Sequence, residues 1–243
     1  SSASIGDHML EKELDYYFIE TGYFGNYPCK NNSGGRKLFH RIVRNGMQHL
    51  SIMDVPDDRW CDMVKFNHEL QYQGWKKNLG SKILLVVPSE KPCKYYGIDQ
   101  EQWIESTIEE IKKYTDREIV MRPHPGKFDM RDFAEFQTTA YTRLNVRVIH
   151  PEKSKLIDDI KTASSAVFFN SSASVAAVLE GVPVFVDDPS AVTWNVANHS
   201  VADIESPVIF DSSQWIYDLA AAHWSDSHSR KGLIYQKFLP YIN

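Results

Sequence analysis

The rhythm of apolar and polar positions changes at about residue 79. From there on, short continuous apolar runs alternate with stretches of helical spacing. Ile83-Leu-Leu-Val-Val87 is apolar throughout, as expected of a strand buried on both faces. Trp103, Ile104, Ile108 and Ile111 recur at helical spacing between Gln102 and Tyr114. Glu118-Ile-Val-Met-Arg122 reads as the next strand and Met130 to Ala140 as a helix. Val146-Arg-Val-Ile149 is then a strand and Ser154 to Thr162 a helix. Ala166 to Phe169 (strand), Ser172 to Glu180 (helix) and Val182 to Val186 (strand) complete the series. Strands alternating with helices over short loops predict an α/β fold, with a doubly wound parallel sheet and right-handed crossovers. Gln214 to Ala222 and Ser229 to Leu239 read as closing helices, the last packing back toward the N-terminal part.

The first 78 residues follow no such rhythm. Tyr16-Tyr-Phe-Ile-Glu20 predicts a strand, with Gly22 and Gly25 in the loop after it. Asn31-Asn-Ser-Gly-Gly35 is rich in turn formers. The expected division is an N-terminal domain over 1–78 and a Rossmann-like domain over 79–243.

Composition narrows the class. The chain has 243 residues, 42% of them hydrophobic and 24% charged, which suits a soluble globular protein of one large or two small domains. A net charge of -5 argues against a globally basic nucleic-acid binder. Charge is unevenly placed, however. From Thr21 to Met53 there is no acid, yet Lys30, Arg36, Lys37, Arg41 and Arg44 occur there. The three cysteines, Cys29, Cys61 and Cys93, have no metal-ligand spacing, so a reducing cytoplasm is the expected compartment. No apolar run approaches the roughly 20 residues of a membrane helix, and no signal peptide is visible.

The richest chemistry lies in Phe168-Phe-Asn-Ser-Ser-Ala-Ser-Val-Ala-Ala-Val-Leu-Glu-Gly-Val-Pro-Val-Phe185, a strand, a hydroxyl-rich turn, a small-residue helix, a Gly stop and a second strand. Asn170, Ser171, Ser172 and Ser174 fall where a strand's carboxyl end meets a helix N-terminus, a place where N–H groups and the helix dipole favour phosphate. The plain alternative is an N-cap, for which one serine suffices. Arg122-Pro-His-Pro-Gly126 also follows a strand. Pro123 and Pro125 stiffen it, so that Arg122 and His124 could meet a phosphate; the alternative is a structural turn. The Val87 to Gly97 loop adds Ser89 and Lys91 as cleft-lining candidates. Gly181 and Pro183 fit a helix stop, and Glu180 could reach a ribose hydroxyl. Asp187-Asp188 could take a metal or sugar hydroxyls, and Trp194 could stack on a base or sugar, or belong to the core. The basic stretch, with Arg36, Lys37, Arg41 and Arg44, suits nucleic-acid phosphates or is a solvated loop. No GxxxxGK[ST], GxGxxG or GxSxG is present, which disfavours P-loop ATPases, dinucleotide oxidoreductases and α/β-hydrolases.

Arg122-Pro-His-Pro125, followed about 50 residues on by Asn-Ser-Ser-Ala-Ser and Leu-Glu-Gly-Val-Pro-Val, resembles GT-B glycosyltransferases, in particular those with paired HP and SS motifs, which include capsule, Kdo and sialic acid transferases. In that family the two motifs hold the donor's nucleotide and phosphate. His124 and Pro125 match the first, Ser171 and Ser172 the second. Glu20-Thr-Gly-Tyr-Phe-Gly25, Lys82 to Ser89, Tyr96-Gly-Ile-Asp99, Thr115 to Pro123 and Ser200 to Pro207 are similar, in the same order, to phage-encoded glycosyltransferase-like proteins. Those proteins carry more sequence ahead of the Gly-Tyr-Phe segment, so a shortened acceptor-side domain is expected.

The resemblance implies a GT-B-like fold and an inverting or retaining transferase using a UDP- or CMP-linked sugar. No cofactor or metal is required, because helix N–H donors and positive groups meet the leaving phosphate. Glu20, Asp7 and His8 are the candidates for the base that deprotonates the acceptor. If phage-encoded, the protein works in the host cytoplasm, and its acceptor is a hydroxymethylated pyrimidine in DNA, with Arg36, Lys37, Arg41 and Arg44 on phosphates. A surface-polysaccharide acceptor is the rival. A non-catalytic nucleotide-binding protein of the same fold is the second reading.

Overall fold

The computed structural model describes residues 12, 14–24, 27–28, 36–37, 39–49, 58–66, 70–72, 74–77, 79–124 and 143–225. They fall into two compact units. One is built mainly from Tyr72–Asp211, the other from Asp15–Gln71 and the chain from Ser212 onward. The division is thus discontinuous. The segment after Ser212, expected with residues 79–211, belongs with the N-terminal strands.

The smaller unit holds strands β1 (Tyr17–Thr21), β2 (Tyr27–Pro28), β3 (Arg36–Lys37) and β4 (Phe39–Arg44), then helix α1 (Asp58–Phe66). The larger unit follows with β5 (Lys82–Val86), α2 (Glu90–Tyr96), α3 (Gln100–Ile111), β6 (Ile119–Arg122) and β7 (Arg147–Val148). It continues with α4 (Leu156–Lys161), β8 (Ala163–Phe168), α5 (Ser174–Leu179) and β9 (Val184–Val186). The chain returns to the smaller unit with α6 (Ser213–Ala221) and β10 (His223–Ser225). The expected helices over Met130–Ala140 and Ser229–Leu239 lie outside the described residues.

The larger unit is a parallel sheet of order β7-β6-β5-β8-β9. The chain moves one way from β5 to β7, then crosses to the other side of β5 for β8 and β9. That reversal is the topological switch point of a doubly wound sheet. Alternation explains the continuous apolar runs. Ile83, Leu85, Val167, Phe169 and Phe185 pack with Trp103, Ile104, Ile108 and Ile111 of α3 and with Ile204. The intervening Leu84, Ala166, Phe168 and Val184 are equally buried, and α4 and α5 lie against β8. Each such aliphatic side chain, fully buried, stabilises the fold by about 1.5–3 kcal/mol.

The segment expected as a loop from Val87 to Gly97 contains α2. Pro92 sits in its first turn, where a missing N–H is harmless, and Gly97 closes it at φ 65°. Gly181 ends α5 in the same left-handed region, at φ 67°, and a β-carbon there would stand 2.3 Å from the Gly74 carbonyl oxygen.

The smaller unit is an antiparallel sheet of order β1-β4-β10, with α1 packed on α6. His223 is fully buried in it. Its ring stacks on Phe24 at 4.5 Å, its Nδ1 lies 2.7 Å from the Leu219 carbonyl oxygen, and its Nε2 accepts from the Phe24 N–H. This is the neutral imidazole with the proton on Nδ1.

Candidate functional site

Pairing register brings the sequence motifs to one edge. Val86 of β5 stands opposite Arg122 of β6 on one side and Phe168 of β8 on the other, and Phe168 stands opposite Val186 of β9. The residues just beyond this row are therefore neighbours. They are His124 after β6, Ser89 after β5, Asn170 to Ser172 after β8, and Asp187-Asp188 after β9. Two strand spacings, about 9.5 Å, separate the β6 and β8 ends, with β5 between them. The switch point lies between β5 and β8, where ligands of open α/β sheets bind.

Within this edge, Ser171 and Ser172 have the most open chemistry. Ser171 Oγ accepts from the Ala173 N–H at 3.2 Å, which leaves its own proton available to donate. The Ser171 and Ser172 N–H groups have no acceptor among the described residues. Helix α5 begins only at Ser174, spans six residues and has no side-chain cap. Its dipole is thus a lesser contributor than the two strand-end N–H groups. Ser89 occupies the N-cap position of α2 without capping it. Lys91 follows on α2 and is half-buried, whereas His124 is exposed. Pro125 lies outside the described residues.

Three of the expected donor contacts are placed elsewhere. Arg122 is buried, and all four of its terminal N–H groups are used internally. Nη1 donates to Ser154 Oγ at 2.8 Å and to the Asp159 carboxylate, and Nη2 to the carbonyls of Pro151 and Ser154, each at 2.9 Å. Arg122 therefore ties β6 to the turn before α4 and has no terminal N–H left for a phosphate. Ser174 is fully buried, and its hydroxyl pairs with Thr193 Oγ1 at 2.9 Å. Glu180 ends α5 roughly 9 Å along the helix from Ser174, away from the carboxyl edge, and its carboxylate meets Lys76 at 3.2 Å and Lys161 at 3.9 Å.

Asn170 is buried and donates through Nδ2 to Ser190 Oγ at 2.8 Å, while Asp188 Oδ1 accepts the Ser190 N–H at 2.7 Å. This chain of bonds fastens the loop after β8 to the loop after β9. Ser190 was not legible as part of the site, since only the β8–β9 pairing brings it beside Asn170.

Two residues of the basic stretch, Arg41 and Arg44, are engaged within the protein. Arg41 is buried. Its Nη1 donates to the Thr21 carbonyl at 3.0 Å and its Nε to that of Met47 at 3.3 Å, while its guanidinium lies 4.8 Å from the Tyr23 ring centroid. Arg44 pairs with Asp15 at 2.5 Å. The backbones of Arg36 and Lys37 form β3, but their side chains lie outside the described ones. Glu20 sits on β1 opposite Arg41. Asp7 and His8 lie outside the described residues.

Among the described residues no three His, Cys, Asp or Glu cluster to hold a metal ion. Among them, too, no helix is long and apolar enough to cross a membrane. No protein-family model matches the chain, and no curated protein matches its sequence significantly. Among solved structures it is similar to the KpsC β-Kdo 2,4 transferase of Thermosulfurimonas dismutans, at 13% identity and a TM-score of 0.47, over 89% of this chain and 74% of that one. It is also similar to the β-Kdo 2,7 transferase of KpsC from the same organism, at 12% identity and a TM-score of 0.47, over 96% and 83%. The site is accordingly read from its own residues.

Proposed function

We propose that the protein is a glycosyltransferase that binds a UDP- or CMP-linked sugar at the switch point and transfers the sugar to a hydroxyl of a glycan, of the surface-polysaccharide kind. The observation that carries this reading is the pair of N–H groups and hydroxyls at Ser171 and Ser172, set beside the end of β5 with His124 one strand further. Such donors are suited to a phosphate that gains charge as the glycosidic bond to the sugar breaks. His124, from a rigid strand end, adds a ring nitrogen able to hydrogen-bond the same phosphate. The resemblance of these same positions to the HP and SS motifs selects a nucleotide sugar from among phosphorylated ligands. A glycan acceptor is preferred to DNA because Arg41 and Arg44, half of the proposed phosphate contacts, are engaged within the protein.

Calorimetry with UDP, CMP and their sugar conjugates tests the reading. At least one of these ligands should bind, and Ser171→Ala with Ser172→Ala should weaken it tenfold or more while shifting the melting temperature by no more than about 2 °C. A large loss of stability would mark the serines as caps, and no binding by any nucleotide would sink the proposal. Donor hydrolysis or transfer to a glycan separates the transferase from a binding protein without turnover.

A further inference from the structure

A second concave site lies on the other face of the sheet from α5. Alternation along the strands shows this. Phe185 and Val167 belong to the set packed on α3, and Asp187 continues that set at the end of β9. Between α3 and the segment at His199 to Val201 there is a cavity of about 320 Å³. Its floor is apolar, formed by Val167 and Phe185. One wall is a single stripe of α3, Trp103, Thr107 and Glu110, about 10 Å long from the helix rise. The facing wall is Asp187, His199 and Ser200.

The chemistry of these walls selects the ligand. A carboxyl group stands on each side, Glu110 on α3 and Asp187 facing it. Glu110 is held below the usual carboxylate range by its hydrogen bond from Lys113, at 2.5 Å, and also accepts from the Tyr114 hydroxyl at 3.2 Å. Asp187 Oδ2 accepts the Trp103 indole N–H at 2.9 Å, while its Oδ1 bonds to no described residue. Two carboxylates repel an anionic ligand, including a phosphate or an acidic sugar. Both already hold a donor, which lowers the drive to capture a cation. What remains is a set of acceptor lone pairs and two hydroxyls, above apolar floor atoms and beside a flat wall. That wall is the His199 ring, stacked on Trp194 at 3.5 Å and fixed by Nε2 2.8 Å from the Trp194 carbonyl oxygen. A neutral sugar ring matches it, with an apolar C–H face and hydroxyls that donate to carboxylates and accept from serine and threonine. We infer that this cavity is a binding site for a neutral saccharide of one or two rings, separate from the switch-point site.

The test uses the full chain labelled with ¹⁵N-tryptophan, its six indole N–H signals followed by NMR. The Trp103 signal is assigned with Trp103→Phe. Glucose, galactose, lactose and maltose are titrated to tens of millimolar. At least one should shift the Trp103 signal saturably. Thr107→Trp, which fills the cavity, should abolish the shift, and Asp187→Asn, which keeps the volume, should weaken it at least tenfold. Undisturbed positions of the other indole signals report that each variant is folded. The proposal is overturned if no saccharide shifts Trp103, if the shift survives Thr107→Trp, or if spermidine binds there more tightly than every sugar. Ser171→Ala with Ser172→Ala should leave saccharide binding intact. Failure here is thereby distinguished from failure of nucleotide binding at the switch point.

Discussion

At the scale of single residues, two members of one short motif divide the work. Arg122 and His124 are two positions apart at the end of β6, yet one is buried and the other exposed. The Arg122 guanidinium satisfies two carbonyls, a hydroxyl and the Asp159 carboxylate, itself largely buried. Arg122→Ala leaves that carboxylate without its cation. It should cost roughly 3–5 kcal/mol, the range for breaking a buried ion pair by removing one partner. Urea unfolding measures this, and a loss under about 1 kcal/mol would contradict the internal role. His124→Ala should do the opposite, lowering stability far less than Arg122→Ala in urea unfolding and weakening nucleotide binding severalfold by calorimetry. Both residue types read equally well as phosphate ligands in the sequence. Only the turn at residues 151–159, brought under β6 by the fold, separates them.

At the scale of elements, the turn from α5 into β9 shows how close packing limits substitution. Gly181 holds φ 67° and lies against the backbone of Gly74 to Lys76, where the Lys76 N–H donates to its carbonyl at 2.9 Å. Gly181→Ala meets both strain and a clash with backbone. It should destabilise by more than about 1 kcal/mol, the scale of the conformational penalty alone, as read from the melting temperature. Most elements of the parallel sheet were legible because burial on both faces leaves an unmistakable apolar run. Helix α2 was not, since Pro92 and two lysines read as loop; a proline in a first turn is compatible with either. Strand β4 was hidden by its arginines. A strand position that buries an arginine against carbonyls and a tyrosine ring looks, in sequence, like a solvated basic patch.

At the scale of the whole molecule, pH is the sharpest lever. Burial pushes the His223 imidazole down to about 3; its bond to the Leu219 carbonyl opposes this, while the charges of His49, Arg41 and Arg59 add to it. An unfolded histidine titrates near 6.5. Between these values the unfolded chain carries the extra proton, so stability rises with pH across the window. It is complete above about pH 6.5 and falls by up to about 1.4 kcal/mol per unit below. Chemical unfolding at pH 7 and pH 5 should differ by about 2 kcal/mol from this group alone. His223→Gln should remove most of that difference, and an unchanged difference would show that other groups set the slope. The lowered carboxyls of Asp15, held by the Asn45 amide and then Arg44, and of Glu118 and Glu205, held by Arg147 and Arg117, act in the same direction at lower pH, but they lie at the surface, where such pairs contribute little.

Hydrophobic rhythm alone was enough to specify the parallel sheet, the order of its elements and the placing of Ser89, His124, Ser171 and Ser172 at strand ends. The reason is local. A run of apolar residues and the turn that ends it are written in consecutive positions. Which of those residues are open to a ligand was decided by tertiary structure. Arg122, Ser174, Glu180 and Arg41 find partners from 6 to 104 positions away. Neutralising a buried charge or hydroxyl depends on which segments the fold brings beside it, and no local pattern records that. The discontinuous smaller unit has the same cause, because β10 completes the sheet of β1 and β4 only when the chain returns after Ser212. So does the cavity between α3 and His199, whose walls are distant in sequence and adjacent only in the folded chain.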